Sequence, residues 1–562
     1  MKELIGSPLP LGCTVKGNEI NFSISLEKNA KGELILYKKG SDIPVKTVKL
    51  HKDFVSDQIR FCAVALEDGE EFEYNFKVDD QIVCDPYGRD FTGREVWNEP
   101  KKLEEHQVRT LIVKDEFDWE GDTFPRLKME DVVAYSVHVR GYTKHTASQV
   151  KHKGTFRGLI EKIPYFLELG VNQIHCMPVY DFEENLKYLN YWGYGEGNYF
   201  APKASYASDN PVTEVKEMIK SMHKAGIEVI FEMPFDYGVN QSFMLECLRF
   251  WSREYHVDGF LINPSVCNWN MITEDPQLSG LKIFRKNDDF QNIMRRFLKG
   301  DEGMIPEVIS RLKHSSEDGC LNYITSQNGF TLNDLVSYDE KHNELNGENN
   351  QDGPDRNYSW NCGVEGASRR KSVVALRKHQ MFNAMFLLLL AQGTPCILGG
   401  DEFCNSQKGN NNVYCQDNLL SWTDWKKYAQ EKEMYSFVKN LISFRKGHKM
   451  LTLLKEEECN TNKSGIPSIS YHGESAWRLQ DHLYSRQLGV FYHEEKEDAD
   501  DVYIAYNMHW KPHMYALPNL PKGKKWYLAG TTQDGILEET VLVSEEKEIE
   551  IKERTICVFI GK

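Results

Sequence analysis

The chain contains 562 residues, more than one hydrophobic core usually organises, so we expect a large central domain with smaller domains attached to it. Its 68 Lys and Arg against 84 Asp and Glu give a formal charge of -16, which argues against nucleic acid as a partner because nucleic-acid binding needs a basic surface. No apolar run is long enough for a signal peptide or a bilayer span, so a cytoplasmic protein without a membrane partner is expected.

The cysteines and the aromatic residues narrow the chemistry further. Thirteen cysteines are an odd number and form no CxxC pairs, which indicates reduced thiols and predicts neither a metal nor a cofactor. The 27 Tyr and 11 Trp are flat, amphipathic rings of the kind that sugar-binding clefts use, although core packing accounts for most of them.

The first part of the chain alternates apolar and polar residues between Gly, Asn and Asp punctuation. Residues 19–26 are an example, and the pattern predicts an antiparallel β-sandwich over residues 1–100. Residues 101–130 are charged and lack a clear period, so we interpret them as a connection.

After residue 131 apolar runs alternate with helical stripes, which indicates strand–helix units and a parallel sheet. One helix begins at the cap Asn210, continues with Pro211 and an apolar face, and ends at Gly226. About eight units predict a closed (β/α)8 TIM barrel over residues 131–450. The predicted strands are 132–139, 171–177, 227–233, 259–263, 281–284, 321–326 and 394–398, with one further strand between 303 and 314.

Short β-like runs return near the end of the chain and predict a C-terminal β-sandwich over residues 451–562. The stretch VDGFLIN at 257–263 organises the prediction for the barrel. It follows a helical segment and brings one polar side chain, Asn263, to the carboxyl end of a barrel strand, where barrel enzymes keep their catalytic groups.

Five motifs resemble those of a known family. They are AYSVHVRGYT at 134–143, NYWGYGEGNYFAP at 190–202, NGFTLNDLVSYDEKHNELNGENNQDG at 328–353, NYSWNCGVEG at 357–366 and GGDEFCNSQKGNNNVYCQDN at 399–418. The chain resembles the glycogen-debranching, isoamylase and pullulanase branch of the α-amylase superfamily, which hydrolyses α-1,6 bonds in α-glucans. This resemblance covers nearly the whole chain and implies a carbohydrate-binding-type β-sandwich, a barrel and a C-terminal β-sandwich.

Active members of that family are retaining glycosidases, which need a nucleophilic carboxylate and an acid/base carboxyl about 5 to 5.5 Å apart. By the resemblance, Asn263 occupies the position of the nucleophilic Asp and Leu261 that of a neighbouring Arg. The loop that bears the family's acid/base Glu is missing from the sequence, and Lys286 lies nearest to its position. An amide cannot attack an anomeric carbon, and an ammonium group is a poor acid at neutral pH.

Two further positions depart from the family pattern. Gln327 and Asn328 stand in place of the His-Asp pair that follows the seventh strand, and Tyr237 stands in place of a sugar-contacting His. The resemblance therefore implies that all three catalytic acids are absent, and we expect no catalytic residue and a pseudoenzyme.

Other residues are candidates for sugar binding. Tyr194 matches the family's aromatic platform, with reshaping of the pocket as the alternative. Glu232 and Asp236 are either replacement acids or, as we favour, structural polar groups. Asn263, Gln327 and Asn328 complete the predicted set, while Arg140 is assigned to a loop contact rather than to glucan.

Two more segments are assigned structural roles. We interpret 410–412 as a turn network and 85–87 as an interdomain contact. No Asp-rich loop stands out as a calcium site.

Three functional hypotheses follow. The first is a non-catalytic homologue that binds α-glucan or maltooligosaccharide, or that partners an active debranching enzyme or a second copy of itself. The second is an active α-1,6 glycosidase with relocated acids, and the third is an interaction protein without sugar affinity.

Overall fold

The computed structural model describes residues 1–66, 71–99, 108–114, 116–312, 319–453, 465–495, 499–543 and 548–562. Within these ranges the chain builds two antiparallel β-sheets, a closed parallel barrel and a second antiparallel β region. None of the helices in these ranges combines the length and apolar character needed to cross a bilayer.

The N-terminal region is a β-sandwich of two sheets around one apolar core. One sheet has the order β1-β7-β3-β2 with β6 beside β7, and the other has the order β10-β11-β8-β4-β5 with β9 beside β8. Strand β11, the last strand of this sheet in chain order, lies within residues 101–130, which the sequence predicted to be a connection. The strands are β1 Lys2–Leu4, β2 Gly12–Lys16, β3 Glu19–Ser25, β4 Gly32–Lys38, β5 Pro44–Lys49, β6 His51–Lys52, β7 Ile59–Ala65, β8 Phe72–Val78, β9 Gln81–Val83, β10 Phe91–Thr92 and β11 Arg109–Leu111.

The central region is a closed barrel of seven parallel strands, in the order β12-β13-β16-β17-β18-β19-β20, so the predicted TIM-barrel class is confirmed. All seven apolar runs that the sequence predicted as barrel strands are strands, and β14 and β15 form a separate antiparallel ribbon. The strands are β12 Ala134–Val137, β13 Gln173–Cys176, β14 Tyr180–Phe182, β15 Gly197–Pro202, β16 Glu228–Glu232, β17 Gly259–Leu261, β18 Lys282–Lys286, β19 Cys320–Asn322 and β20 Thr394–Leu398.

The helices of the described residues surround the barrel and connect its strands. They are α1 Val139–Lys144, α2 Phe156–Ile160, α3 Ile163–Leu169, α4 Pro211–Lys224, α5 Gln241–Tyr255, α6 Trp269–Thr273, α7 Asp288–Lys299, α8 Ile305–Leu312, α9 Leu332–Leu335, α10 Lys371–Leu389, α11 Trp425–Gln430, α12 Lys432–Gly447 and α13 Met450–Leu453. Helix α4 begins as predicted, because the Asn210 side chain accepts a hydrogen bond from the Thr213 N–H and Gly226 ends the segment with φ 72°.

The strand predicted between residues 303 and 314 is wrong, because that segment contains helix α8. Its buried side chains recur with helical spacing, and Pro306 lies in the first turn, where the missing N–H costs nothing. Two helices, α7 and α8, therefore stand between β18 and β19, and these two strands pair directly, with Lys286 opposite Leu321. The barrel closes with seven strands in the described residues where the sequence predicted eight.

The C-terminal region is a six-stranded sheet of order β21-β22-β23-β28-β25-β26, with β24 and β27 as a two-stranded ribbon. It packs on the barrel through α7 and α10, where the Arg554 guanidinium donates to the Lys299 carbonyl and Asn383 donates to the Arg554 carbonyl. The strands are β21 Ile469–His472, β22 Gln487–Tyr492, β23 Asp501–Asn507, β24 His513–Ala516, β25 Trp526–Thr531, β26 Gly535–Leu542, β27 Glu548–Ile551 and β28 Thr555–Gly561.

A buried arginine on α12 forms hydrogen bonds with the backbone at the end of α10. Arg445 is 2% exposed, and its guanidinium donates to the carbonyl oxygens of Leu389, Ala391 and Gly393 at 2.6 to 2.7 Å. These carbonyls lie where α10 ends and the chain turns into β20, so they have no partners within the helix. A cation at this point also complements the partial negative charge of the helix C-terminus.

A histidine–aspartate cluster fixes the chain beneath the barrel. His223 contacts Asp122 through Nδ1 and Asp258 through Nε2, both at 2.9 Å, and the same Asp122 carboxylate accepts from His256. Burial alone would lower the pKa of His223. The Asp258 and Asp122 carboxylates have the larger combined effect, so the pKa is raised above its ordinary 6.5.

This cluster predicts a pH-dependent stability. Because the folded state raises the pKa of His223, the charged imidazole contributes stability fully below about pH 6.5, and the contribution is lost as the pH rises through the raised value. The difference in melting temperature between the wild type and His223→Gln should therefore be largest below about pH 6.5 and should shrink as the pH rises above it. His51→Gln, at an exposed position on β6, is the control, and a difference that does not change with pH would contradict the assignment.

Candidate functional site

The carboxyl ends of three neighbouring strands build the candidate site at the barrel mouth. In β16, β17 and β18, parallel pairing sets Glu232 beside Leu261 and Leu261 beside Phe284, and β18 then continues to Lys286. Because side chains alternate along a strand, Glu232 and Lys286 lie on the interior side of the barrel together with Leu261 and Phe284.

Three side chains meet at the mouth, and we call them the mouth trio. The Lys286 ammonium donates to Glu232 Oε1 at 2.8 Å, and the Tyr194 hydroxyl donates to the same oxygen at 3.0 Å. Glu232 is buried, whereas about one third of the Lys286 side chain, 34%, is exposed. The Tyr194 ring is half-buried and packs edge-on against Trp192. The contacts among these three residues are not predicted from the sequence, in which they lie far apart.

The contacts of the mouth trio stabilise the protonated forms of Lys286 and Tyr194. Burial opposes the charge on Lys286, but Glu232 outweighs it and raises the pKa of Lys286. Burial and Glu232 raise the pKa of Tyr194 well above 10.0. At neutral pH the trio therefore presents an ammonium, a phenol and the acceptor atoms of Glu232, which suit hydrogen bonding to hydroxyl groups better than proton transfer.

Polar side chains also fill the barrel beneath the mouth trio. The Glu228 carboxylate accepts from Lys282 Nζ at 2.5 Å and from Gln173 Nε2 at 2.8 Å, and Gln173 contacts His175 Nε2 at 2.6 Å. Burial, with a contribution from Lys286, lowers the pKa of His175 to about 3, so its ring is neutral. The interior is thus packed, and a ligand could reach only the mouth.

The structure gives Asn263 and Leu261 different environments. Leu261 is 5% exposed and belongs to the apolar cluster inside the barrel. Asn263 is exposed, its Oδ1 accepts from the Ser265 N–H at 2.9 Å, and its carbonyl accepts from the Val266 and Cys267 N–H groups. Asn263 thus caps the turn that leaves β17 while its amide NH2 remains at the mouth.

The remaining predicted positions lie around the rim. Gln327 is half-buried beside His138, Asn328 is exposed and Tyr237 is 74% exposed. The hydrogen bonds of the described residues do not join Asn263, Asn328 or Tyr237 to the mouth trio. Asp236, considered as a replacement acid, accepts from the Tyr237 N–H at 2.8 Å.

Three secondary assignments from the sequence agree with the contacts. Arg140 binds the Asp417 carboxylate through Nε and Nη2 at 2.8 to 3.1 Å, which is the predicted loop contact. Asn411 is fully buried and exchanges hydrogen bonds with Asn343 in a turn network. Tyr87 donates to Glu246 on α5, so the 85–87 segment joins the N-terminal sandwich to the barrel.

Metal-ligating side chains do not converge at the mouth. Over the described ranges, no group of three or more His, Cys, Asp and Glu side chains is arranged to hold a metal ion.

The sequence and the fold of this chain are similar to those of known α-glucan-debranching proteins. Residues 140–246 match the family model described as alpha amylase, catalytic domain. A glycogen debranching enzyme of Erwinia tasmaniensis is 30% identical over 78% of this chain and 84% of its own length. A glycogen operon protein GlgX homolog of Mycobacterium bovis is 27% identical over 99% of this chain and 96% of its own. A pullulanase variant of Paenibacillus barengoltzii, solved with maltotriose, superposes with a TM-score of 0.76 at 20% identity, covering 99% of this chain and 96% of its own.

Proposed function

This chain belongs to the glycogen debranching enzyme and isoamylase family, and from that premise we propose that it binds α-glucan at its barrel mouth without hydrolysing it. The mouth trio is the observation that carries this proposal. Catalysis in retaining relatives needs two carboxyl groups about 5 to 5.5 Å apart, and here the Lys286 ammonium pairs with the one buried carboxylate of the trio, Glu232.

The positions that resemblance assigns to the reaction support the non-catalytic half of the proposal. An amide at Asn263 has no anion with which to attack the anomeric carbon, and the residue nearest to the position of the missing acid, Lys286, carries an ammonium group. Glu232 and Asp236 are poor replacements, because Glu232 accepts from both other trio members and Asp236 accepts from a backbone N–H at a turn.

The binding half of the proposal rests on the chemistry of the mouth. A sugar presents hydroxyl groups at its edge and C–H groups on its face, and the half-buried Tyr194 ring next to charged hydrogen-bonding groups suits both. The structure of the Paenibacillus barengoltzii pullulanase variant was solved with maltotriose, a short α-glucan, and we propose the same class of ligand here.

The test combines turnover and binding on the same purified protein, from a host without its own debranching enzyme. We expect no reducing ends from pullulan or glycogen, and retardation of the wild type in gels that contain amylopectin. Tyr194→Ala should weaken maltooligosaccharide binding about 10-fold, because a stacked ring contributes on the order of 1 to 2 kcal/mol. Tyr188→Ala, a tyrosine outside the trio, is the control.

Each half of the proposal has its own contrary result. Reducing-end release that disappears in Glu232→Gln would overturn the non-catalytic half and identify relocated acids. Absence of glucan binding together with absence of turnover would overturn the binding half and favour an interaction protein, such as a subunit of an active debranching enzyme or a self-associating chain.

A further inference from the structure

A cavity of about 750 Å³ opens on the surface of the barrel region, and the residues of the mouth trio are not part of its lining. It lies between the first half of α10, helix α9, the loop after β20 and helix α11, and we call it the flank pocket. Its size is that of pockets that bind small organic molecules, roughly 300 to 1,000 Å³. A ligand here would therefore contact a different set of side chains from a ligand at the mouth trio.

The flank pocket is rich in cations although the whole chain is strongly acidic. Lys408, Lys426 and Lys427 line it, and none of the three forms an ion pair with the part of the chain that the structure describes. A set of uncompensated lysines around a concave surface concentrates positive potential and attracts anions. Lys378, a fourth lysine of the lining, forms an ion pair with Glu433.

The carboxyl groups of the lining are partly engaged elsewhere. Asp334 is fully buried and accepts from the Ser406 hydroxyl and the Gln407 N–H. Asp424 accepts from the Lys426 N–H and lies 3.5 Å from a nitrogen of His145. Glu431 is the third carboxylate of the lining, against five Lys and Arg side chains, so the lining as a whole carries more positive than negative groups.

The rest of the wall offers hydroxyl and amide groups over an apolar floor. The Tyr338 and Ser337 hydroxyls and the Asn333 amide make no side-chain hydrogen bond to the described residues, whereas Met381 and Met434 are buried beneath them. Arg377 holds this wall in place, because its guanidinium donates to four backbone carbonyls of residues 337–366. Free hydroxyl and amide groups beside an apolar surface suit a polyhydroxylated ring.

We propose that the flank pocket binds a phosphorylated sugar. The phosphate would bind to Lys408, Lys426 and Lys427, and the sugar hydroxyls to Asn333, Ser337 and Tyr338. The phosphate can belong to a free hexose phosphate or to a nucleoside diphosphate sugar, since both present the same anionic group.

Isothermal titration of the full chain in a phosphate-free, low-salt buffer tests the proposal. The probes are glucose 1-phosphate, ADP-glucose, inorganic phosphate and glucose. We expect saturable binding of glucose 1-phosphate or ADP-glucose at least about 10-fold tighter than inorganic phosphate, no binding of glucose, and weaker binding at higher salt. The tighter of the two sugar probes identifies the source of the phosphate.

Variants assign the binding to the flank pocket. Lys426→Gln/Lys427→Gln should weaken the tighter probe about 10-fold or more, because hydrogen bonds to charged groups are lost. The variant Lys522→Gln/Lys525→Gln, which changes two exposed lysines just before β25, should bind as the wild type does, and equal melting temperatures confirm that all proteins are folded. The proposal is overturned if neither sugar probe saturates up to about 10 mM, if inorganic phosphate binds equally well, or if the Lys426→Gln/Lys427→Gln variant binds unchanged.

Discussion

An Asn263→Asp variant should still release reducing ends from pullulan at least about 10⁵-fold more slowly than an active debranching enzyme. The substitution returns a carboxylate to the position that resembles the nucleophile's, but a nucleophile without an acid/base partner leaves the glycosidic oxygen unprotonated. By the resemblance, the loop that bears the family's acid is missing and Lys286 lies nearest to its position; Lys286 is bound to Glu232, so we expect that one substitution cannot assemble the pair. Catalytic groups that act together give little rate acceleration when only one of them is present.

Reducing-end assays over several days, with an active debranching enzyme diluted in steps of ten, set the scale of this measurement. Asn263→Ala is the matched control, because it changes the same position without supplying a carboxylate. Turnover by Asn263→Asp that exceeds the 10⁵-fold limit and is absent from Asn263→Ala would mean that a second carboxyl group lies within reach of residue 263.

Replacement of Arg445 by Met should lower the free energy of unfolding by about 3 to 5 kcal/mol. Methionine keeps much of the length of the buried side chain but removes the guanidinium, so the carbonyls of Leu389, Ala391 and Gly393 lose their charged donor. Those carbonyls are buried between α10, α12 and β20, where water cannot replace the donor without opening the packing. The loss should appear as a lower urea midpoint, with the unfolding of the barrel occurring first.

Arg253→Met provides the control for the loss of an arginine from a helix. Arg253 is exposed near the end of α5, and its replacement should change stability by no more than about 0.5 kcal/mol. Equal stabilities of the two variants would show that the carbonyls at the end of α10 find other donors.

The seven barrel strands were predictable because each is a short apolar run set between helical stripes, as in residues 227–233. The error at 303–314 arose because Ile305, Val308 and Ile309 are β-branched, which favours a strand reading of a short run. Their spacing, with Leu312, follows the helical period, and Pro306 fits a first turn. At this segment the helical spacing of the buried residues and the position of Pro306 predict the structure better than β-branching does.

The mouth trio could not be predicted from sequence patterns, because its members come from three distant parts of the chain. Glu232 and Lys286 are separated by a whole strand between β16 and β18, and their pairing depends on how the barrel closes. The alternation of Lys282, Phe284 and Lys286 did indicate that these side chains share one face. It could not indicate that an acid and a base on different strands reach one another across the interior.

The direct pairing of β18 with β19 limits which changes in sequence the barrel can accommodate. The residue at position 263 can change by a single substitution. Another strand could enter the closed barrel only after the hydrogen-bonded pairing of Arg285–Lys286 with Cys320–Leu321 separates. Every intermediate on that route would expose unpaired backbone groups at two strand edges and would fold poorly. Substitutions can therefore alter the mouth one residue at a time, whereas we expect insertion of a strand between β18 and β19 to disrupt the folding of the barrel.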